Sequence, residues 1–281
     1  MTRTVRRLAA LLWAAVIISV PGVLATAADP VLIARTEPLR ILALGDSITA
    51  GVSAFGAPAT DGGYRGPLER ALAERGYHAV FVGSRSDYSS ALSDRAHEGW
   101  PGYVVRSFPS DPGPGQLYGN LTQTAMRTSN PDVVLVMAGT NDLLRREKSD
   151  GGYTLANIVE SVRMLLEQIV AAKPSVVVIL APVVDSPRVN VCALRAFAGV
   201  GLPDDCAALN ANLATLVNEF DRRGYHVSYA RSMATAVPRD AAHFPDGIHP
   251  AGPGGYADIA NVWLQAIAAI TQPPPVDTAE K

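Results

Sequence analysis

Leu42-Ala43-Leu44-Gly45-Asp46-Ser47-Ile48-Thr49 is an apolar run that ends on a glycine and hands a serine to a tight turn. The run starts at Leu39. Four more short runs follow it: Ala79 to Val82, Val133 to Met137, Val176 to Leu180 and a weaker His226 to Tyr229. None of them alternates polar with apolar residues. Unbroken Val- and Ile-rich runs suit strands of a parallel sheet that is covered on both faces. Helical patterns separate them: Gly66 to Arg75, stopped by Gly76; Leu155 to Ala172, with Ile158, Val162, Leu165 and Ile169 on one side; Cys206 to Arg223, closed by Gly224; and Ala257 to Ile270. Strand and helix in alternation predict a doubly wound α/β domain. Such sheets place ligands beyond the carboxyl ends of their strands. Ser47 lies at one such end, and Asn141, in Gly139-Thr140-Asn141-Asp142, at another. Ser107 to Tyr118 and Asp185 to Asp205 read as loops, and no internal repeat is present.

The 281 residues, 48% hydrophobic and 18% charged, suffice for one sizeable core. Arg3, Arg6 and Arg7 precede an uncharged stretch from Leu8 to Ala28, with Pro21-Gly22 as a breaker and Ala25-Thr26-Ala27 as small residues for a peptidase. This reads as a secretory signal peptide over 1–27, the competing reading being a retained membrane anchor. A linker over 28–38, the main domain over 39–271 and a Pro-rich tail over 272–281 complete the expected organisation. Taking those three arginines from the 24 basic residues leaves 21 against 26 acidic ones. No basic stripe remains to grip a phosphate backbone, so nucleic acid is not expected as a partner; nor is a membrane expected once the signal is removed. Cys192 and Cys206, the only cysteines, are expected to form one disulfide in an exported protein, against the alternative of two free thiols. No histidine stands at zinc-ligand spacing from them.

Asp246-Gly247-Ile248-His249-Pro250 places a carboxylate three positions before a histidine. A serine hydroxyl near neutrality needs a base within hydrogen-bond reach and donors for an oxyanion. Ser47 is the candidate nucleophile, His249 the base and Asp246 the acid that holds its tautomer. Each has a plainer reading: Ser47 as a helix cap, and the Asp–His run as a surface turn. Asn141 is the candidate side-chain donor to the oxyanion, or a cap of the helix after it. Gly102, in His97-Glu98-Gly99-Trp100-Pro101-Gly102, is a candidate backbone donor, or a turn glycine. His97-Glu98 does not open a zinc-protease helix, because Pro101 stands four residues after His97. There is no Gly-x-Ser-x-Gly elbow.

Taken together and in this order, Gly45-Asp46-Ser47, Gly102, Gly139-Thr140-Asn141-Asp142 and Asp246 to Pro250 resemble the four blocks of the SGNH (GDSL-type) hydrolase superfamily. The resemblance spans Leu39 to Ile270. It implies a three-layer, flavodoxin-like sandwich around a central five-stranded parallel sheet, with no metal or organic cofactor. It also implies an oxyanion hole of the Ser47 N–H, the Gly102 N–H and the Asn141 side chain. Gly63-Tyr64-Arg65-Gly66-Pro67-Leu68, Phe81-Val82-Gly83-Ser84 and His97-Glu98-Gly99 are similar to secreted carbohydrate esterases of the acetylxylan esterase type. Pro101 departs from that branch, yet only the Gly102 N–H is needed. The Cys192–Cys206 loop and the insertion Arg145 to Tyr153 are further departures that reshape the cleft. The expectation is a secreted, monomeric serine esterase acting on carboxylic esters through an acyl-enzyme and deacetylating a polysaccharide or another short-chain ester. The alternatives are a lipase-like enzyme for longer acyl chains and a catalytically silent carbohydrate-binding protein.

Overall fold

β1 (Leu39–Gly45) has neighbours along both edges. On one side it pairs with β4 (Val133–Met137) from Ile41 to Gly45. The other edge is shared by two strands: β2 (Ala79–Val82) takes Leu39 to Leu42, and a two-residue β3 (Glu98–Gly99) takes Leu44 and Gly45. β5 (Val177–Leu180) and β6 (Val227–Tyr229) extend the sheet beyond β4, giving the order β2-β1-β4-β5-β6 with every pairing parallel. The chain runs outward from β1 on one side and returns on the other, so the switch point lies between β1 and β4. The crevice at their carboxyl ends is where such a sheet receives a ligand.

The computed structural model describes residues 38–88, 90, 92–146, 152–189, 205–251 and 254–271. The expected signal peptide, most of the linker, Cys192, much of the 145–153 insertion and the Pro-rich tail lie outside these.

The unalternated strands are explained by cover on both faces. Ile41, Ala43, Leu135, Met137 and Ile179 pack against α2 (Arg65–Glu74) and α7 (Gly255–Ile270). Leu42, Leu44, Val134, Val136, Val178 and Leu180 face α3 (Asn120–Ser129), α5 (Leu155–Ala172) and α6 (Asp205–Arg222). Each of these strand residues is essentially inaccessible to water. Full burial of such a side chain stabilises by about 1.5–3 kcal/mol, so the sheet is a stiff platform. α5 has the bounds its apolar stripe predicts, and the Thr154 hydroxyl caps it by accepting the Asn157 N–H at 3.1 Å. The five expected strands and four expected helices are all present, with ends shifted by two residues at most. The sequence reading did not anticipate β3 or α3. The buried face of α3 is Thr122, Ala125, Met126 and Ser129, small or polar residues apart from Met126, so no stripe of large apolar residues marks it. Among the described residues no helix is long and apolar enough to cross a membrane.

Candidate active site

Ser47 opens α1 (Ser47–Ala50), a single helical turn directly after β1 in which every residue is buried. Asp46 caps it, its carboxylate accepting the Ile48 N–H at 3.0 Å. A four-residue helix cannot satisfy its own last carbonyls. Arg65 does so from below, donating to Thr49 O at 3.2 Å and Ala50 O at 2.9 Å, with a third bond to Arg95 O at 3.3 Å. Its side chain is fully buried, and burial pulls its pKa below the usual arginine range. On the other side α1 is pressed against β3. A Cβ on Gly99 would lie 2.3 Å from Ala50 N and 2.6 Å from its Cα, so only glycine fits there.

His97 and Glu98 hold that contact in place. The buried His97 ring accepts the Gly99 N–H at Nδ1, 3.0 Å, and donates from Nε2 to Asp87 O at 2.9 Å. This pattern requires the neutral ring, and burial lowers its pKa to about 4. Glu98 accepts the Ser84 N–H at 2.6 Å and the Trp100 indole N–H at 2.9 Å.

The structure brings Ser47 and the Asp246–His249 turn together. His249 Nε2 lies 2.8 Å from Ser47 Oγ, and its Nδ1 lies 2.7 Å from Asp246 Oδ2. Asp246 Oδ1 accepts the Ile248 N–H at 2.9 Å and the His249 N–H at 2.8 Å, while Oδ2 also accepts the Phe55 N–H at 2.9 Å. Partial burial pushes the Asp246 carboxyl up, but these donors outweigh it and hold the group down at about 2. An ionised Asp246 fixes the proton on Nδ1 and leaves the Nε2 lone pair for the Ser47 hydroxyl.

Asn141 is the second residue of α4 (Thr140–Arg146), just past β4. Its Nδ2 donates to Tyr103 O at 2.9 Å. Tyr103 N–H in turn bonds Trp100 O at 3.1 Å, and Trp100 N–H bonds Gly45 O at 2.9 Å. Gly102 therefore lies inside a turn tethered at one end to β1 and at the other to Asn141. Its φ of +79° is the left-handed region that glycine tolerates. Pro101 before it removes a donor the turn does not use.

Two buried carboxylates lie behind these groups. Asp142 accepts the Val105 N–H with both oxygens, at 3.1 and 3.2 Å, and burial, reinforced by the charge of Asp46, raises it to about 7. Burial raises Asp46 to about 6 against the pull of the Ile48 N–H and of His249.

Cys206 is buried at the start of α6, its thiol 3.8 Å from Val183 O. The expected Cys192–Cys206 pairing lies outside the described residues. Among the described residues no three His, Cys, Asp or Glu side chains converge as metal ligands do.

Sequence reasoning assigned no role to Arg65 or Phe55. Arg65 stands in a quoted motif, but its fully buried position is visible only in three dimensions. Phe55 belongs to no motif. It is 81% exposed, and its φ of 58° is a conformation that costs a non-glycine residue about 1–2 kcal/mol.

The profile of the GDSL-like Lipase/Acylhydrolase family matches residues 43–257, from β1 into α7. Among solved structures, a family 3 carbohydrate esterase from Clostridium thermocellum aligns with a TM-score of 0.60 at 25% identity, over 84% of this chain and 100% of its own. A carbohydrate esterase family 3 structure from Talaromyces cellulolyticus gives 0.59 at 22% identity, over 82% and 96%. An acetylxylan esterase from Geobacillus stearothermophilus, solved as a catalytic mutant, gives 0.54 at 19%, over 84% and 96%. At those identities the last two share the fold. No curated protein matches the sequence.

Proposed function

The chain belongs to the GDSL-like lipase/acylhydrolase family and is a carboxylic ester hydrolase, and from that premise we propose that it works as a serine esterase through an acyl-enzyme. The observation that carries this reading is the unbroken relay from Ser47 Oγ through the His249 ring to Asp246, at 2.8 and 2.7 Å. As Ser47 Oγ bonds to the acyl carbon, its proton passes to His249 Nε2 and the carbonyl π electrons move onto oxygen. The Ser47 N–H, the Gly102 N–H and the second N–H of the Asn141 amide receive that oxyanion. Asp246 stabilises the imidazolium. The C–O bond to the alcohol then breaks, and the leaving oxygen takes the proton from Nε2. Water, deprotonated by His249, attacks the acyl carbon. Collapse of the second oxyanion frees the carboxylic acid and returns the proton to Ser47.

The substrate in this reading is a short-chain, acetyl-type ester of a polysaccharide, met outside the cell by an exported monomer without cofactor. The carbohydrate esterase at 25% identity supports it. So does the surface. Among the described residues Phe55 is the one exposed large hydrophobic side chain, whereas a lipase for long acyl chains needs a continuous apolar groove. Turnover of p-nitrophenyl acetate against p-nitrophenyl octanoate tests the acyl preference, with acetate expected to win. Ser47→Ala should lower kcat on the order of 10⁴-fold or more, and an organophosphonate should label Ser47 in the wild type. An unlabelled Ser47 with no turnover would return the chain to a silent binding protein.

A further inference from the structure

We infer that Phe55 and the cleft behind it form the subsite for the alcohol part of the ester, and that this alcohol is a saccharide. The inference rests on the esterase reading and extends it to the leaving group. The His249 proton has to reach the leaving oxygen, so the alcohol lies over the imidazole, away from the Gly102 and Asn141 side that takes the acyl oxygen. Two features adjoin the turn that carries the imidazole.

One is Phe55. Its backbone nitrogen is 2.9 Å from Asp246, so its ring stands within one side-chain length of the group that holds the base. It sits at the tip of a short hairpin, in which Val52 bridges Pro58 and Ser53 N–H bonds Ala57 O at 2.6 Å. The ring is solvent-exposed and its backbone left-handed, so folding gains little from a phenylalanine there, and a glycine would relieve the strain.

The other is a cleft of about 340 Å³ that the stem of this hairpin helps to line. Ser53 and Pro58, the stem of that hairpin, line it together with Pro250 and Ala251, the two residues after His249. Asp61 and Arg70, ion-paired at 2.8 Å and both open to solvent, line it as well. A carboxylate acceptor next to a guanidinium donor matches neighbouring sugar hydroxyls, each of which both gives and takes a hydrogen bond. An exposed aromatic ring on the hairpin whose stem lines that cleft matches the C–H face of a sugar ring. A long alkyl alcohol has no use for an ion pair and would have to desolvate it. Both halves of the subsite therefore select a saccharide.

The test compares two esters with the same acyl group, ethyl acetate and an acetylated xylo-oligosaccharide, so that acyl-side effects cancel. In Phe55→Gly the ratio of kcat/KM, oligosaccharide over ethyl acetate, should fall about tenfold, through KM, while Tm stays level or rises. Arg70→Leu should lower the same ratio a few-fold. A ratio unchanged in both variants, or an equal loss on both esters through kcat, would overturn the subsite. A second measurement does not depend on turnover: titration of unacetylated xylotetraose into Ser47→Ala and into Ser47→Ala/Phe55→Gly. Weaker binding in the double variant supports the subsite even if the wild type hydrolyses no ester, a result that would remove the esterase reading alone. Equal binding in the two overturns it.

Discussion

Ser47 rides on a helical turn whose four residues are all buried, gripped by Arg65 on one side and Gly99 on the other. His249, 2.8 Å away, rides on a partly buried turn outside any helix or strand. The proposed nucleophile is thus placed by close packing of backbone on backbone. The proposed base is placed by hydrogen bonds converging on one carboxylate. Asp246 gathers three backbone N–H groups and the ring N–H. The difference teaches that errors on the two sides have different symptoms: lost stability on the first, and a lost proton acceptor on the second.

The strongest way to break this contrast is Asp246→Asn. The amide nitrogen would face groups that are themselves donors, and the imidazole would lose its tautomer control. A kcat loss on the order of 10⁴ is expected. The same variant reports on acid stability. The Asp246 carboxyl is held at about 2, below its ordinary 3.8, so its contribution is present above the ordinary value and is lost as pH falls from about 4 toward 2. Tm of the variant should decline less than that of the wild type across that window. A kcat within tenfold of wild type would show that the turn orders itself without the carboxylate.

Asn141→Ala sharpens the comparison on the sheet side. It should lower kcat roughly 10²–10³-fold if the amide receives the oxyanion, and a change of only a few-fold would leave Asn141 as a support for Tyr103. Gly99→Ala tests the packed support itself. Its methyl meets the Ala50 backbone, which cannot yield cheaply, so a loss of about 1–3 kcal/mol is expected, seen as a Tm lower by roughly 5 °C. An unchanged Tm would mean that α1 is free to shift. The smallest effect concerns Asp142. Its carboxyl is raised to about 7 by burial, so the folded state keeps a proton that the unfolded chain has shed. Stability is fullest below about 4 and declines as pH rises toward 7. Asp142→Asn should flatten that decline in Tm measured from pH 4 to 8, and an identical slope would move the cause elsewhere.

The packed side was the more legible in the sequence. Unalternated runs such as Val133–Met137 announce buried strands, and α5 could be bounded to the residue because its stripe repeats through five turns. Ser47 and Asn141 could be placed at strand ends from those runs alone. β3 could not, since two residues carry no period, and its position depends on a glycine meeting the backbone of α1. Phe55 and Arg65 were silent for related reasons. An exposed aromatic in a loop and a buried arginine on a helix each contradict the average habit of their residue type, and only tertiary neighbours explain the exception.

The bond from Asn141 Nδ2 to the Tyr103 carbonyl has one more consequence. An amide flipped end for end would turn its own oxygen toward a developing negative charge and repel it. By accepting one amide hydrogen, Tyr103 sets the polarity of the group before any substrate arrives. The same four-residue stretch from Trp100 to Tyr103 carries Gly102, so the two proposed oxyanion donors, drawn from distant parts of the chain, are tied to one short segment, and a shift of that segment would disturb both.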